Sequence, residues 1–194
     1  MAKAADREKL RKDIILSTIE VFNDRGVIFT MSDVATNIHI SKKTIYKEFD
    51  SKEELLDTVV DYIFDNIKAK EDEIMHDKSL STIDRLRLIL GAMPENYRDI
   101  DFQNVYPFLE KFPEVSRKMQ YRLATGWENT ISLIEQGKKE GVIRKNIDIR
   151  FVKVMLEASI EKVLSDDMLS RTGINYVDAL NQIVDILVDG MIIK

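Results

Sequence analysis

The chain has 194 residues and no cysteine, which excludes disulfides, thiolate metal ligands and a cysteine nucleophile. Histidine is nearly absent too. His39 and His76 are the two present, so chemistry that depends on an imidazole base has few candidates. The three prolines fall between Pro94 and Pro113, which leaves the remaining sequence free of the strongest helix breaker. No uninterrupted apolar run approaches the roughly 18 residues that a membrane-spanning helix needs. The opening MAKAADREKLRKD is charged and lacks the apolar stretch of a secretory signal. A cytoplasmic location is therefore expected. Gly-rich phosphate loops, a His-Glu-x-x-His motif and a triad-like set are all missing, so we expect no catalytic residues, no cofactor and no metal.

What the chain does contain is charge, unevenly placed. Its formal net charge is −5, yet residues 1–52 hold 10 Lys and Arg against 8 Asp and Glu. The head thus carries +2 and the rest −7. Phosphate binding needs local cations rather than a basic protein.

The most informative stretch is Thr30–Phe49, TMSDVATNIHISKKTIYKEF. Thr30 and Asp33, three apart, form a capping-box pattern at a helix start, and Val34, Ala35 and Ile38 supply its apolar stripe. Ser41 is a second helix-start candidate. Ile45 and Phe49, four apart, give the following helix an inward face. Lys42, Lys43, Thr44, Tyr46 and Lys47 are left on the other side. Two short helices around a tight turn, the second fronted by lysines, have the layout of a helix-turn-helix.

Helical spacing continues almost throughout, so the fold class is all-α. Further helices are expected over Arg7–Asp24, Ser51–Met75, Ser81–Met93, Val105–Lys111, Pro113–Lys139, Ile149–Leu164 and Tyr176–Ile192. The last carries apolar residues on more than one stripe. Cations near the N-terminus, Lys3, Arg7, Lys9, Arg11 and Lys12, read as a solvated, disordered beginning, with a minor-groove arm as the alternative.

Residues Ile15–Leu56 resemble the tetracycline-repressor family of bacterial regulators. The resemblance rests on Ile15, Thr18, Phe22, Gly26, Thr30, Val34-Ala35, Ser41-Lys42, Tyr46, Phe49 and Ser51-Lys52-Glu53, followed by Leu55 and Leu56. Two positions depart from the pattern: His39 stands where the turn usually has glycine, and Gly26–Thr30 is one residue short. The resemblance implies a three-helix DNA-binding head (1–52) and a helical ligand-binding and dimerisation body (53–194). It implies DNA contacts by Thr30, Ser41, Lys42, Lys43, Thr44, Tyr46, Lys47 and Lys52.

In the body, the resemblance implies pairing of the last two helices with a second copy. The candidate interface is Phe151, Val152, Met155, Leu156, Ile160, Ile183 and Leu187, and a homodimer would set two recognition helices about 34–36 Å apart on a near-palindromic operator. It also implies an effector pocket, with Tyr62, Met93, Tyr97, Phe102, Tyr106, Phe108, Phe112, Tyr121, Trp127 and Met155 as candidate lining. Their aromatic character favours a lipophilic or aromatic small molecule. The expected function is a ligand-responsive transcriptional regulator, a repressor by the family's commoner behaviour, released from double-stranded DNA by its effector. Two alternatives stay open: a binding module that uses the same head for a protein partner, and an all-α enzyme.

Overall fold

The computed structural model describes residues 2–93, 100, 105–164 and 168–193. Among them the chain is helical, with a single isolated antiparallel bridge, Ile143 to Ile192. Helix α1 spans Ala2–Arg25, starting earlier than expected. Instead of a disordered beginning, Arg7 and Arg11 lie within it. Gly26, at φ +60°, ends α1 in a conformation that glycine adopts without strain. A 3₁₀ turn, η1, Gly26–Ile28, closes the short connection to α2, Met31–Asn37. Helices α3, Lys42–Ile45, and α4, Lys52–His76, follow.

Two compact units result. The first comprises residues 1–63 and 99–120. Besides α1 to α3 and the beginning of α4, it includes α6, Val105–Lys111, which packs on η1, and most of α7, Pro113–Ala124. This compact unit extends eleven residues past position 52 and takes in residues 99–120. The reason is apolar: Phe108 and Phe112 are buried, and Phe108 meets Phe22 edge-on at 5.5 Å. The unit's centre is Ile14, Phe29, Val34, Ile45, Phe49 and Leu55, all at most 2% exposed. Burial of each such side chain contributes about 1.5–3 kcal/mol.

The second unit, residues 64–98 and 121–194, packs α5, Thr82–Leu90, against α8, Glu128–Glu140. Helix α11, Tyr176–Met191, packs on both α5 and α9, Ile149–Leu164. Gly137 is needed inside α8 because a Cβ there would lie 2.6 Å from Ile143 Cδ1. The short helix α10, Met168–Thr172, has no counterpart in the sequence reading.

One expected helix is corrected. Pro113–Lys139 is not continuous but breaks at Thr125–Gly126–Trp127, with Gly126 at φ +75°. The Trp127 indole donates to Leu123 O at 2.9 Å. Lys68 donates to Gly126 O and pairs at 2.8 Å with Glu71. Burial pushes the Glu71 carboxyl above its usual range, with Lys68 opposing. Apolar spacing on either side of the break stays in phase, so periodicity alone does not reveal it.

Candidate nucleic-acid interface

The site is built by two caps and a turn. Thr30 caps α2: its hydroxyl accepts from Asp33 N, while its own N–H donates to Asp33 Oδ2 at 2.7 Å. Thr30 Oγ1 also donates to Asp33 Oδ2 at 2.8 Å, and this side-chain bond first, with the backbone N–H second, holds the Asp33 carboxyl below its ordinary range. His39 takes the turn at φ +56°, as expected for a residue standing where glycine is usual, and Ile40 N then bonds Ala35 O at 2.9 Å. Ser41 caps α3, accepting from Thr44 N at 3.1 Å.

Helix α3 is shorter than the expected Ser41–Phe49. Its α portion ends at Ile45, and turns carry the chain to Phe49, whose N–H still bonds Ile45 O at 2.9 Å. The inward and outward faces nevertheless divide as the spacing predicts. Ile45 and Phe49 are 0% and 1% exposed. Ser41, Lys42, Lys43, Tyr46 and Lys47 are exposed, and Thr44 is half-buried, its hydroxyl 2.8 Å from that of Ser41. Among the described residues Lys42, Lys43 and Lys47 form no ion pair. Lys42 Nζ stands 5.7 Å from the Tyr46 ring centre. An exposed, uncompensated cation row with hydroxyls at a helix start suits phosphate oxygens and base edges.

The first turns of α1 hold α3 from behind, which the sequence reading missed. Arg7 Nε pairs with Glu48 at 2.8 Å. Arg11 donates to Glu48 O, and its guanidinium lies 4.1 Å over the Phe49 ring. The signal was present: Arg7 and Arg11, four apart, share one helix face.

Lys52 turns inward. Its ammonium donates to Val27 O at 3.2 Å and to Phe29 O. It lies 3.7 Å from the Phe29 ring centre and 5.3 Å from that of Phe112. Burial, and then the like charge of Lys111, push its pKa down to about 8, with Asp33 opposing.

The candidate pocket residues fall in both units. Phe108 and Phe112 are buried in the first unit, and Tyr62 is half-buried there. In the second, Met93 and Trp127 are half-buried, whereas Tyr121 is 65% exposed and Met155 41%. Tyr97, Phe102 and the Tyr106 side chain lie outside the described residues. An open groove of about 440 Å³ is lined by Glu135, Lys138 and residues 146–150, none of them in the candidate set.

The candidate dimer residues separate by face. Val152, Leu156 and Ile160 are buried within the second unit. Phe151 and Met155 are exposed, and Ile183 and Leu187 half-buried. Exposed Val154 and Ile186 were not among the candidates.

Residues 14–59 match the model of bacterial regulatory proteins, tetR family. That segment takes in the helix-turn-helix described above. It is 23% identical over 180 residues to YvaF of Bacillus subtilis, an HTH-type transcriptional regulator, covering 93% of this chain and 94% of that protein. A TetR-family regulator from Cytophaga hutchinsonii has the same fold, with TM-score 0.72 and 19% identity over 97% of this chain and 98% of that one. The regulator FadR of Bacillus subtilis, solved with stearoyl-CoA, gives TM-score 0.62 at 18% identity, covering 93% of this chain and 98% of its own. The helix-turn-helix head thus matches that of TetR-family regulators, and the chain as a whole shares their fold.

Proposed function

We propose that the protein represses transcription by binding a near-palindromic operator as a homodimer and that a lipophilic effector releases it. The observation that carries this reading is the α3 surface: Lys42, Lys43 and Lys47 face solvent while Ile45 and Phe49 on the same segment are buried. Dimerisation through α9 and α11 is supported by Phe151, Val154 and Ile186, which are 65%, 57% and 74% exposed on helices whose other faces already fill a core. Apolar groups displayed on two adjacent helices suit a self-complementary, two-fold interface.

A lipophilic effector is supported by FadR, a structural relative solved with stearoyl-CoA. The switch is thermodynamic. An effector that prefers a conformation unsuited to DNA weakens operator binding by its differential affinity, about tenfold for each 1.4 kcal/mol. On this reading residues 1–52 bind DNA and residues 53–194 sense and dimerise, in the cytoplasm. The test is to measure affinity for a duplex that the protein selects from a random-sequence pool, alone and with long-chain acyl-CoA. Salt-dependent binding that acyl-CoA weakens supports the reading; binding unaffected by it rejects acyl-CoA as the effector. Ile186→Glu is expected to yield monomers in sedimentation, and an unchanged dimer would reject this interface.

A further inference from the structure

Lysines at a DNA-binding head invite one interpretation, contact with phosphate, and Lys52 does not fit it. Its ammonium is enclosed by the Phe29 and Phe112 rings and by the carbonyls of Val27 and Phe29. Reaching a phosphate would give up both carbonyl bonds and both ring contacts.

The carbonyl of Phe29 belongs to the same planar peptide unit as the N–H of Thr30. That N–H donates to Asp33 Oδ2 at 2.7 Å. The Phe29–Thr30 peptide is therefore gripped at both ends, by a carboxylate on its N–H and an ammonium on its oxygen. A planar unit held at both ends cannot rotate, so the direction in which Thr30 leaves η1 is fixed. Thr30 itself is exposed at the start of α2.

We propose that Lys52 is a positioning residue: it stays caged when DNA binds and orients the Phe29–Thr30 peptide so that Thr30 meets the DNA phosphate backbone. This rests on the DNA-binding reading above. The groups that face Lys52 with charge are Lys111 from α6, which opposes its ammonium, and Asp33 from α2, which favours it. Phe112 joins the cage from the junction of α6 and α7, so the segment that encloses Lys52 also includes residues outside the helix-turn-helix.

The experiment titrates full-length protein with its selected duplex at several salt concentrations and at pH 7 to 9, for wild type, Lys52→Met, Lys52→Arg and Lys42→Ala/Lys43→Ala. Lys52→Met should weaken binding roughly tenfold at every salt concentration, with the salt dependence unchanged, and Lys52→Arg should recover most of the loss. Wild type and Lys52→Arg should share one pH profile, because a caged Lys52 takes up no proton on binding.

Three results would overturn the proposal. One is a Lys52→Met variant as tight as wild type. Another is a salt slope reduced by about 0.9 for each such contact, the signature of a lost phosphate contact. The third is wild-type affinity that falls between pH 8 and 9 by up to about tenfold per protomer when Lys52→Arg does not, since a neutral Lys52 moving to a phosphate must first gain a proton. The pH comparison of wild type with Lys52→Arg decides even if Lys52→Met fails to fold. Failure of the DNA-binding reading looks different: no duplex is selected, or Lys42→Ala/Lys43→Ala leaves affinity and salt slope untouched.

Discussion

Two sets of cations within one compact unit behave in opposite ways. Those on α3, Lys42, Lys43 and Lys47, stand in solvent without an ion-pair partner among the described residues. Those on α1 and at the start of α4 are engaged by the protein's own groups: Arg7 and Arg11 by Glu48, Lys52 by two carbonyls and two rings. The difference teaches that a basic residue near a recognition helix has two uses. It can neutralise phosphate, or it can hold the geometry that lets another residue do so. Composition counts both alike, but binding experiments separate them, because only the first kind releases counterions.

The sharpest way to break the comparison is to remove the outward set. Lys42→Ala with Lys43→Ala should reduce duplex affinity about a hundredfold or more at low salt, and lower the salt slope by about 0.9 per lost phosphate contact. Fluorescence anisotropy across a salt series measures both. If slope and affinity are unchanged, the outward lysines are ordinary surface.

The paired set predicts a different signature. Glu48→Ala leaves Arg7 without its partner and removes one anchor of α3, so affinity should fall about threefold to tenfold at constant salt slope. A rise in slope would mean that the freed Arg7 or Arg11 had turned to phosphate. Thr30→Ala loses the α2 cap, costing about 1 kcal/mol, read as a lowering of Tm by roughly 2–4 °C in a chain of this size. Its effect on affinity should match that of Lys52→Met if the two act through one peptide unit.

The smallest effect concerns pH and stability. Lys52 has a pKa of about 8 in the fold against 10.5 when free. Between those values the unfolded chain holds a proton that the folded chain has released, so raising the pH favours folding. The penalty is fully present below about pH 8 and is relieved toward 10.5. Partial exposure reduces its size. Denaturant unfolding at pH 7.5 and 9.5 should show wild type gaining stability relative to Lys52→Met, and a gain of equal size in both would refute the depressed pKa.

Much of this was legible in residue order. The capping box at Thr30, the inward pair Ile45 and Phe49, and the positive φ at His39 are local consequences of side-chain chemistry within a few residues, and the structure contains all three. The break at Gly126 was harder to see because the apolar rhythm of Pro113–Lys139 continues across it. Residues 99–120 were placed with the body, since nothing near them in the sequence signals that Phe108 meets Phe22. The dimer candidates Val152, Leu156 and Ile160 were chosen for apolarity, which does not distinguish a core face from an interface face of the same helix.

Sequence by itself determined the helical class, the helix-turn-helix, its caps and the residues that its lysine-fronted face displays, because helix periodicity and capping act over three or four positions. Tertiary structure alone decided what each cation is for. Lys42 and Lys52 are the same residue type at two helix starts, yet one meets water and the other meets Val27, Phe29 and Phe112. That outcome depends on chain segments as far as sixty residues away, and no local pattern encodes which of them will close over an ammonium group.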